Sequence, residues 1–199
     1  MLSQHLMTEL HRELARRSMT QVVEDWEMIA GCTMEIGEST GSLIHSLDEW
    51  RPAWKANWSL VLSTRVEGDC EGDYHILFPV PLAWELTKAV LCLPAKSPLD
   101  KSGLDEGHME VMQEMMNLLC GSISSAFLEV HRQLRISGNV DDIRLVQLGP
   151  KDPLGSQLAK VGRGLGVSID LTCNDAKHEV LAVMPFPVAR SIARLFLAA

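Results

Sequence analysis

The chain has 199 residues, of which 46% are hydrophobic and 22% are charged, a composition typical of a single folded domain. The formal net charge of −8 argues against a general nucleic-acid binder, because such proteins neutralise phosphates with an excess of Lys and Arg. No apolar run reaches the roughly 18 residues that span a bilayer, and the N-terminus lacks the apolar core of a signal peptide. We therefore expect a cytoplasmic protein without a nucleic-acid or membrane partner.

Motifs for metal binding and for several kinds of catalysis are absent from the sequence. Five cysteines are scattered without a C-x-x-C pair, so we expect reduced thiols and no metal site. The GRGLG at 162–166 lacks the GK[ST] of a phosphate-binding loop and follows no predicted strand. No Ser/His/Asp arrangement can be assembled from the remaining residues. Candidates for chemistry must therefore come from another pattern.

Hydrophobic periodicity predicts two helices, a β-hairpin and a further helix in the first half of the chain. The predicted elements are helices over 3–17 and 18–31, strands over 58–68 and 74–80, and a helix over 81–91. Gly31 is the predicted stop of the second helix, and Pro81 suits the first turn of the last one. A polar stretch of about 40–58, which carries three tryptophans, is predicted as an insertion without a strand.

The second half of the chain starts with a long central helix, predicted from about Leu104 to about Gln133 after a loop over 94–103. The later predicted elements are a strand within 135–149, a connection over 151–166, a hairpin of strands over 167–174 and 178–184, and a helix over 187–198.

The order of elements resembles one pattern written twice. The run x-Pro-x-Pro-x-Ala occurs from Phe78 and again from Met184, at a spacing of 106 residues. The two long helices also align at a spacing of 90, which matches Glu24, Glu27 and Gly31 to Glu114, Asn117 and Gly121. We therefore predict an internal duplication, with halves of about 18–93 and 104–198, preceded by an extra helix over 1–17.

In the central helix, residues at i, i+4, i+7 and i+11 form one narrow stripe: Glu110, Glu114, Asn117 and Gly121. Apolar residues occupy the opposite side: Met112, Met115, Met116, Leu119, Ile123 and Ala126. An ordinary solvated face is the simplest interpretation of the stripe. However, an Asn in mid-helix competes with backbone hydrogen bonds, and a Gly there costs on the order of 1 kcal/mol relative to Ala. These local costs favour a functional surface.

Residues 104–127, LDEGHMEVMQEMMNLLCGSISSAF, resemble the second long helix of the CheC/CheX/FliY family of chemotaxis phosphatases. The helix of that family carries an Asp or Ser, three residues, Glu, two residues and Asn, often with a Gly one turn later. Glu114 and Asn117 occupy the Glu and Asn positions. Residues 78–91 resemble the strand-to-helix passage that precedes the helix, and the likeness covers about 18–198. With one site in the second half, the chain is most similar to CheX.

The resemblance implies an α/β (α+β) fold of two pseudo-symmetric halves, with a mostly antiparallel sheet and two long helices packed on one face. It implies a phosphatase that acts on a phosphorylated CheY-type response regulator. Asn117 would orient the attacking water, Glu114 would bind a lysine of the regulator, and Glu110 and Gly121 would lie at the partner interface. The regulator would hold Mg²⁺, and this chain would bind no cofactor. Because CheX relatives form dimers, a homodimer is expected.

The sequence departs from the family pattern at three places. Glu110 stands where the family has Asp or Ser, a proline some twenty residues after the Asn is missing, and Glu27 stands where the first-half helix would have an Asn. We therefore expect the first-half copy to be inactive. Two alternatives stay open: a non-catalytic binding or scaffold module of the same fold, like the flagellar-switch relatives, and an unrelated regulatory domain.

Overall fold

A computed structural model describes residues 3–45, 59–94, 97, 99, 104–132, 134–137, 143–146 and 163–198. These residues form one antiparallel sheet of seven strands and four helices. The elements are α1 (Gln4–Ala30), β1 (Met34–Ile44), β2 (Ser59–Glu67), β3 (Gly72–Pro79), α2 (Val80–Val90), α3 (Glu106–Val130), β4 (Arg135–Ser137), β5 (Ile143–Val146), β6 (Gly164–Cys173), β7 (Ala176–Pro185) and α4 (Phe186–Ala198). None of the helices in these ranges combines the length and apolarity needed to cross a membrane.

The sheet is pseudo-symmetric about its centre. Its strand order is β1-β6-β7-β3-β2-β4, with β5 also paired to β2. Exchanging β1 with β4 and β5, β2 with β6, and β3 with β7 returns the same order in reverse. At the centre Ile76 of β3 lies opposite Ala182 of β7, 106 residues later, which is the spacing of the two Pro-x-Pro segments. The predicted α+β fold of two pseudo-symmetric halves is confirmed.

The two Pro-x-Pro segments make the same passage from strand to helix. β3 ends at Pro79 and α2 begins at Val80, while β7 ends at Pro185 and α4 begins at Phe186. Proline suits the end of a strand and the first helical turn, because neither place needs its missing N–H donor. The similarity predicted for these two segments is therefore present in the backbone.

The first helix is longer than the sequence suggests. The separate helix predicted over 3–17 is wrong, because residues 4–30 form one helix that begins after the N-cap Ser3 and ends at Gly31. Ser18, at the predicted break, is fully buried and donates its hydroxyl to the carbonyl oxygen of Leu14 at 2.8 Å. This internal hydrogen bond lets a polar residue continue the helix. Gly31 is the predicted stop, and its φ of +60° favours glycine.

The largest error of the sequence-based prediction is at the edge of the sheet. No strand is predicted between 32 and 57, yet β1 spans Met34–Ile44 and pairs with β6. Most of this strand is solvent-exposed, and a bulge lies between Ile36 and Ser39, so it lacks the alternating apolar pattern of a half-buried strand. Gly41 allows α1 to approach, since a Cβ there would lie 2.6 Å from a methyl group of Thr8. β6 also begins earlier than predicted, within the expected connection.

The remaining predicted helices and strands are present with ends that shift by no more than three residues, and the strand within 135–149 is divided into β4 and β5. The tryptophans of the predicted insertion lie outside the described residues, as does most of the predicted 151–166 connection.

Both long helices pack on the sheet through aromatic residues of β3. The Tyr74 ring lies 5.6 Å from the ring of His11 on α1 and 5.6 Å from the ring of Phe127 on α3, both measured between centroids in edge-on geometry. Trp26 of α1 contacts Phe78 of the same strand, with centroids 5.8 Å apart. All five side chains are buried, so β3 supports α1 and α3 from below.

His11 is a buried titratable group in this aromatic cluster. Its side chain is 1% exposed, and neither ring nitrogen has a hydrogen-bond partner. Burial lowers the pKa of His11 from 6.5 to about 3, because an imidazolium there would lose its hydration without gaining a partner. The unfolded chain therefore binds a proton near pH 6.5 that the folded chain does not bind. The stability associated with neutral His11 is present above that pH and is lost as the pH falls toward 3.

We predict that His11→Leu removes part of the acid sensitivity of folding. Between pH 7 and pH 5 the free energy of unfolding of the wild type should fall by about 2 kcal/mol more than that of the variant, at about 1.4 kcal/mol per pH unit. Urea unfolding at the two pH values measures both quantities. His5→Gln, an exposed position on the same helix, is the control and should behave as the wild type. Equal losses in wild type and His11→Leu would contradict the prediction.

Candidate functional site

The start of α3 is fixed by a capping interaction. Asp105 accepts hydrogen bonds from the backbone N–H of His108 at 3.0 Å and from its Nδ1 at 2.5 Å, and the backbone bond chiefly lowers the pKa of this carboxyl. The His108 ring stacks on Trp84 of α2 with centroids 4.6 Å apart. The Trp84 indole N–H donates to the carbonyl oxygen of Ser97 at 3.3 Å. The first turn of α3 is therefore held to α2.

The apolar side of α3 is buried, as predicted. Its buried apolar residues are Met112, Met115, Met116, Leu119, Ile123, Ala126 and Phe127, each no more than 1% exposed. Tight burial along five turns of helix fixes its position and rotation on the sheet. The opposite side of α3 is therefore presented on a rigid support.

The predicted stripe lies on that opposite side. Glu110, Glu114, Asn117 and Gly121 are all exposed. At a rise of about 1.5 Å per residue, Asn117 lies about 4.5 Å along the helix axis from Glu114 and about 6 Å from Gly121. Among the described residues neither acid has a hydrogen-bond or ion-pair partner, although two like charges at i, i+4 repel one another. The stripe thus offers two carboxylates and an amide to a partner.

The conformation of this chain does not require the glycine of the stripe. A Cβ built at Gly121 would meet no atom within 4 Å, and its backbone carbonyl accepts a hydrogen bond from the Ser125 hydroxyl at 3.1 Å. Gly121 lies within α3, so it costs helix stability without a packing benefit inside the chain. No cluster of three or more His, Cys, Asp or Glu residues that could hold a metal ion occurs in the described ranges.

α1 lies antiparallel beside α3. The indole N–H of the buried Trp26 donates to the carbonyl oxygen of Met115 at 3.0 Å. Toward the other ends of the two helices, the Arg17 guanidinium donates to the Glu129 carboxylate at 2.6 Å. The C-terminal half of α1 therefore runs beside the half of α3 that carries Glu114 and Asn117.

The predicted correspondence between the two long helices is wrong. Gly31 ends α1 in a left-handed conformation, whereas Gly121 lies nine residues before the end of α3 at Val130. The two glycines therefore have different structural roles. The spacing of 90 residues, which also matched Glu27 to Asn117, does not relate equivalent positions.

A spacing of 104 residues relates the two helices better. Ser18 and Ser122 are both buried, and each donates its hydroxyl to the carbonyl of the leucine four residues earlier, at 2.8 and 3.2 Å. At the same spacing, seven buried positions coincide: Thr8, His11, Ala15, Ser18, Met19, Val22 and Val23 with Met112, Met115, Leu119, Ser122, Ile123, Ala126 and Phe127. This spacing also approaches the 106 residues found in the sheet.

At the 104-residue spacing, the first-half positions equivalent to the stripe are not those that the sequence predicts. The equivalents of Glu110, Glu114, Asn117 and Gly121 are Leu6, Leu10, Glu13 and Arg17. One helix thus carries two acids, an amide and a glycine where the other carries two leucines and an ion pair. The missed signal was the buried serine with a leucine four residues before it, which occurs in both helices.

Glu27 has a different role from the one predicted. Its carboxylate accepts a hydrogen bond from the backbone N–H of Met34 at 2.6 Å, in a partly buried position where α1 turns into β1. Glu27 therefore belongs to the connection between these elements rather than to a degenerate copy of the Asn117 position.

Solved structures of similar fold extend over most of the chain. A FliY structure from Thermotoga maritima has a TM-score of 0.71 at 13% identity, covering 99% of this chain and 98% of the other. A FliG–FliM complex from H. pylori contains a match with a TM-score of 0.73 at 7% identity, covering 97% and 100%. CheX from Desulfovibrio desulfuricans has a TM-score of 0.51 at 15% identity, covering 86% and 99%.

The chain shares the fold of the FliY, FliM and CheX structures. No protein-family model and no curated protein sequence matches it. Because every identity quoted is below 25%, the likeness establishes the fold. It includes FliY and FliM as well as CheX, so it does not resolve the expected greater similarity to CheX.

We predict that Gly121→Ala raises the stability of the isolated chain. The site is helical and open, so the free energy of unfolding should rise by about 0.5–1 kcal/mol, as measured by urea denaturation. Ser125→Ala, one turn later on the exposed face, is the control for a change in local helix propensity. A destabilising Gly121→Ala would show that the glycine is required by the chain itself.

Proposed function

We propose that this protein is a cytoplasmic phosphatase of phosphorylated CheY-type receiver domains, with Asn117 and Glu114 as its working residues. The observation that carries the proposal is the exposed row of Glu114, Asn117 and Gly121 on a helix whose other side is fully buried. A rigid helix face suits a reaction that depends on positioning rather than on covalent catalysis. The similarity in fold to CheX and FliY supports the same direction.

Asn117 is proposed to position the attacking water. An amide both donates and accepts hydrogen bonds, so it can hold a water molecule and a phosphoryl oxygen together. The receiver domain would supply the aspartyl phosphate and the Mg²⁺ that stabilises charge on the phosphoryl group. Water attacks phosphorus in line with the departing Asp carboxylate, which releases inorganic phosphate and the free carboxylate. A carboxylate at position 117 would oppose this attack by repelling the anionic phosphoryl group.

Glu114 and Glu110 are proposed to dock the receiver rather than to take part in the chemistry. Neither acid has a partner among the described residues, so both can accept a lysine or arginine of the regulator without breaking an existing ion pair. Gly121 lacks a side chain at the next turn, which would allow the partner's backbone to approach α3 closely.

A second function, a non-catalytic binding module, is supported by a separate observation. Structures of FliM middle domains match nearly the whole chain, and two of them come from H. pylori complexes described as FliG–FliM and FliM–SpeE. If this chain acts in the same way, the exposed stripe would bind a partner without promoting hydrolysis. The two functions differ in whether receiver dephosphorylation accelerates.

Substitution of Asn117 tests the catalytic proposal. Asn117→Ala should reduce the rate of receiver dephosphorylation by on the order of 10²–10³, because it removes a preorganised polar group. Its stability should change by no more than about 0.5 kcal/mol, because the site is exposed. Asn117→Asp should be at least as harmful as Asn117→Ala. The assay follows decay of the phosphorylated receiver in Mg²⁺, with and without this protein.

Glu114→Ala is the companion variant and should weaken binding of the receiver more than it lowers the maximal rate. Glu24→Ala, an exposed acid on α1, is the matched control and should leave both quantities unchanged. Full activity in Asn117→Ala would refute the catalytic role. Binding of receiver without faster decay would favour the non-catalytic module instead.

We also propose that the protein forms a homodimer through a sheet edge. β1 pairs with β6 alone among the described strands, which leaves its other side open to a second chain. Sedimentation at micromolar concentration should show a species of twice 22.0 kDa. Replacing Ser39 on β1 with proline should shift it to monomer, since proline cannot donate to a strand pairing. A wild-type chain that sediments only as a monomer would overturn the proposal.

A further inference from the structure

A groove opens at the first-half positions that correspond to the stripe of α3. Its apolar walls come from three helices: Leu6, Leu10 and Leu14 of α1, Ala126 and Val130 of α3, and Phe196 of α4. The groove has a volume of about 290 Å³. Phe196 is 45% exposed, which is unusual for so large an apolar side chain. Half of a potential apolar contact is therefore already present on the surface.

One end of the groove carries charge with an excess of acid. Arg17 donates to Glu13 and to Glu129, both at 2.6 Å, so a single guanidinium is shared by two carboxylates. The hydrogen bonds to these carboxylates raise the pKa of Arg17, which keeps it charged. All three groups line the groove. Their net charge is −1, and each carboxylate retains oxygen lone pairs that a basic partner can use.

We propose that this groove docks an amphipathic helix of a partner protein, one that places apolar side chains against Leu10 and Phe196 and a basic side chain beside Glu13 and Glu129. The acidic rim argues for a basic partner, and the leucine walls argue for an apolar stripe. The inference does not depend on the phosphatase proposal, because no residue of the groove belongs to the stripe of α3.

A helix fits the geometry of this groove. α1 and α3 run antiparallel, and the apolar positions repeat at i, i+4 along each wall, as Leu6 and Leu10 do on α1 and Ala126 and Val130 on α3. Rows of this spacing form the grooves into which the side-chain ridge of another helix packs. From Leu6 to Arg17 the groove follows α1 for about 16 Å, or three helical turns.

The test uses a fluorescein-labelled peptide of 18 residues, composed of Leu and Lys in a helical amphipathic pattern. Fluorescence anisotropy with the full chain measures its Kd. A Leu/Glu peptide of the same pattern and a scrambled Leu/Lys peptide serve as comparison ligands. The Leu/Lys helix should bind at least about ten-fold more tightly than either, because both the apolar stripe and the positive charge are then satisfied.

Two adjacent residues of α4 provide a matched pair of variants. Phe196→Asp should weaken binding about ten-fold or more, whereas Leu197→Asp, which adds the same charge at a 61% exposed residue outside the groove, should change it less than about two-fold. The added negative charge alone would favour a Lys-rich peptide, so weaker binding in Phe196→Asp reports the lost apolar contact. Glu129→Lys should reverse the preference between the Leu/Lys and Leu/Glu peptides.

Three outcomes would overturn the proposal: equal effects of Phe196→Asp and Leu197→Asp, equal binding of the two charged peptides to the wild type, or no binding at all. A fourth is that sedimentation reveals a dimer that Phe196→Asp disrupts and Leu197→Asp does not, because a second copy would then occupy the groove. Thermal unfolding of each variant accompanies the binding data. If Phe196→Asp proves unfolded, the charge reversal in Glu129→Lys decides the matter.

Discussion

The arrangement of the two candidate surfaces depends on the antiparallel contact between α1 and α3. The indole N–H of Trp26 donates to the Met115 carbonyl from a fully buried position, so losing it would leave an unsatisfied polar group in the core. Nearer the middle of both helices, the buried hydroxyls of Ser18 and Ser122 are satisfied within their own helices. Small side chains at equivalent positions let the two helices approach without burying an unpaired donor. Rotation of either helix would break this set of contacts.

The sequence predicts most of the fold because most elements carry strong periodicity. Helices and strands with one buried face are identified to within three residues, since their apolar pattern repeats at the period of the structure. β1 is not predicted because an exposed edge strand has no such constraint, and its partner, β6, lies more than a hundred residues away in sequence. The continuity of α1 through Ser18 was hidden for a related reason: the hydrogen bond that stabilises a buried serine in a helix leaves no mark in composition.

The exposure of the stripe on α3 could be predicted, whereas its counterpart on α1 could not. Spacing alone places Glu114 and Asn117 on one side of a helix, and the structure agrees. The counterpart depends on how two diverged helices superpose, and three matched letters suggested a spacing that the ends of the helices contradict. Buried positions record the superposition better than exposed ones, because packing against a common sheet restricts them while solvent does not. Function-related residues on a surface are free to differ between two halves.

This freedom explains how one scaffold presents two chemically different faces. The pseudo-twofold axis carries the stripe of α3 onto the groove of α1, so both surfaces have similar support and curvature. On α3 the acids stand without partners among the described residues, and Gly121 weakens a helix that has room for a methyl group. On α1 the equivalent positions are leucines and an arginine that is held by two carboxylates. The costs on α3 have no compensation within the described chain, whereas the charges on α1 are largely paired internally. A partner is therefore the natural place to seek the benefit of the stripe, and the two faces require partners of different chemistry.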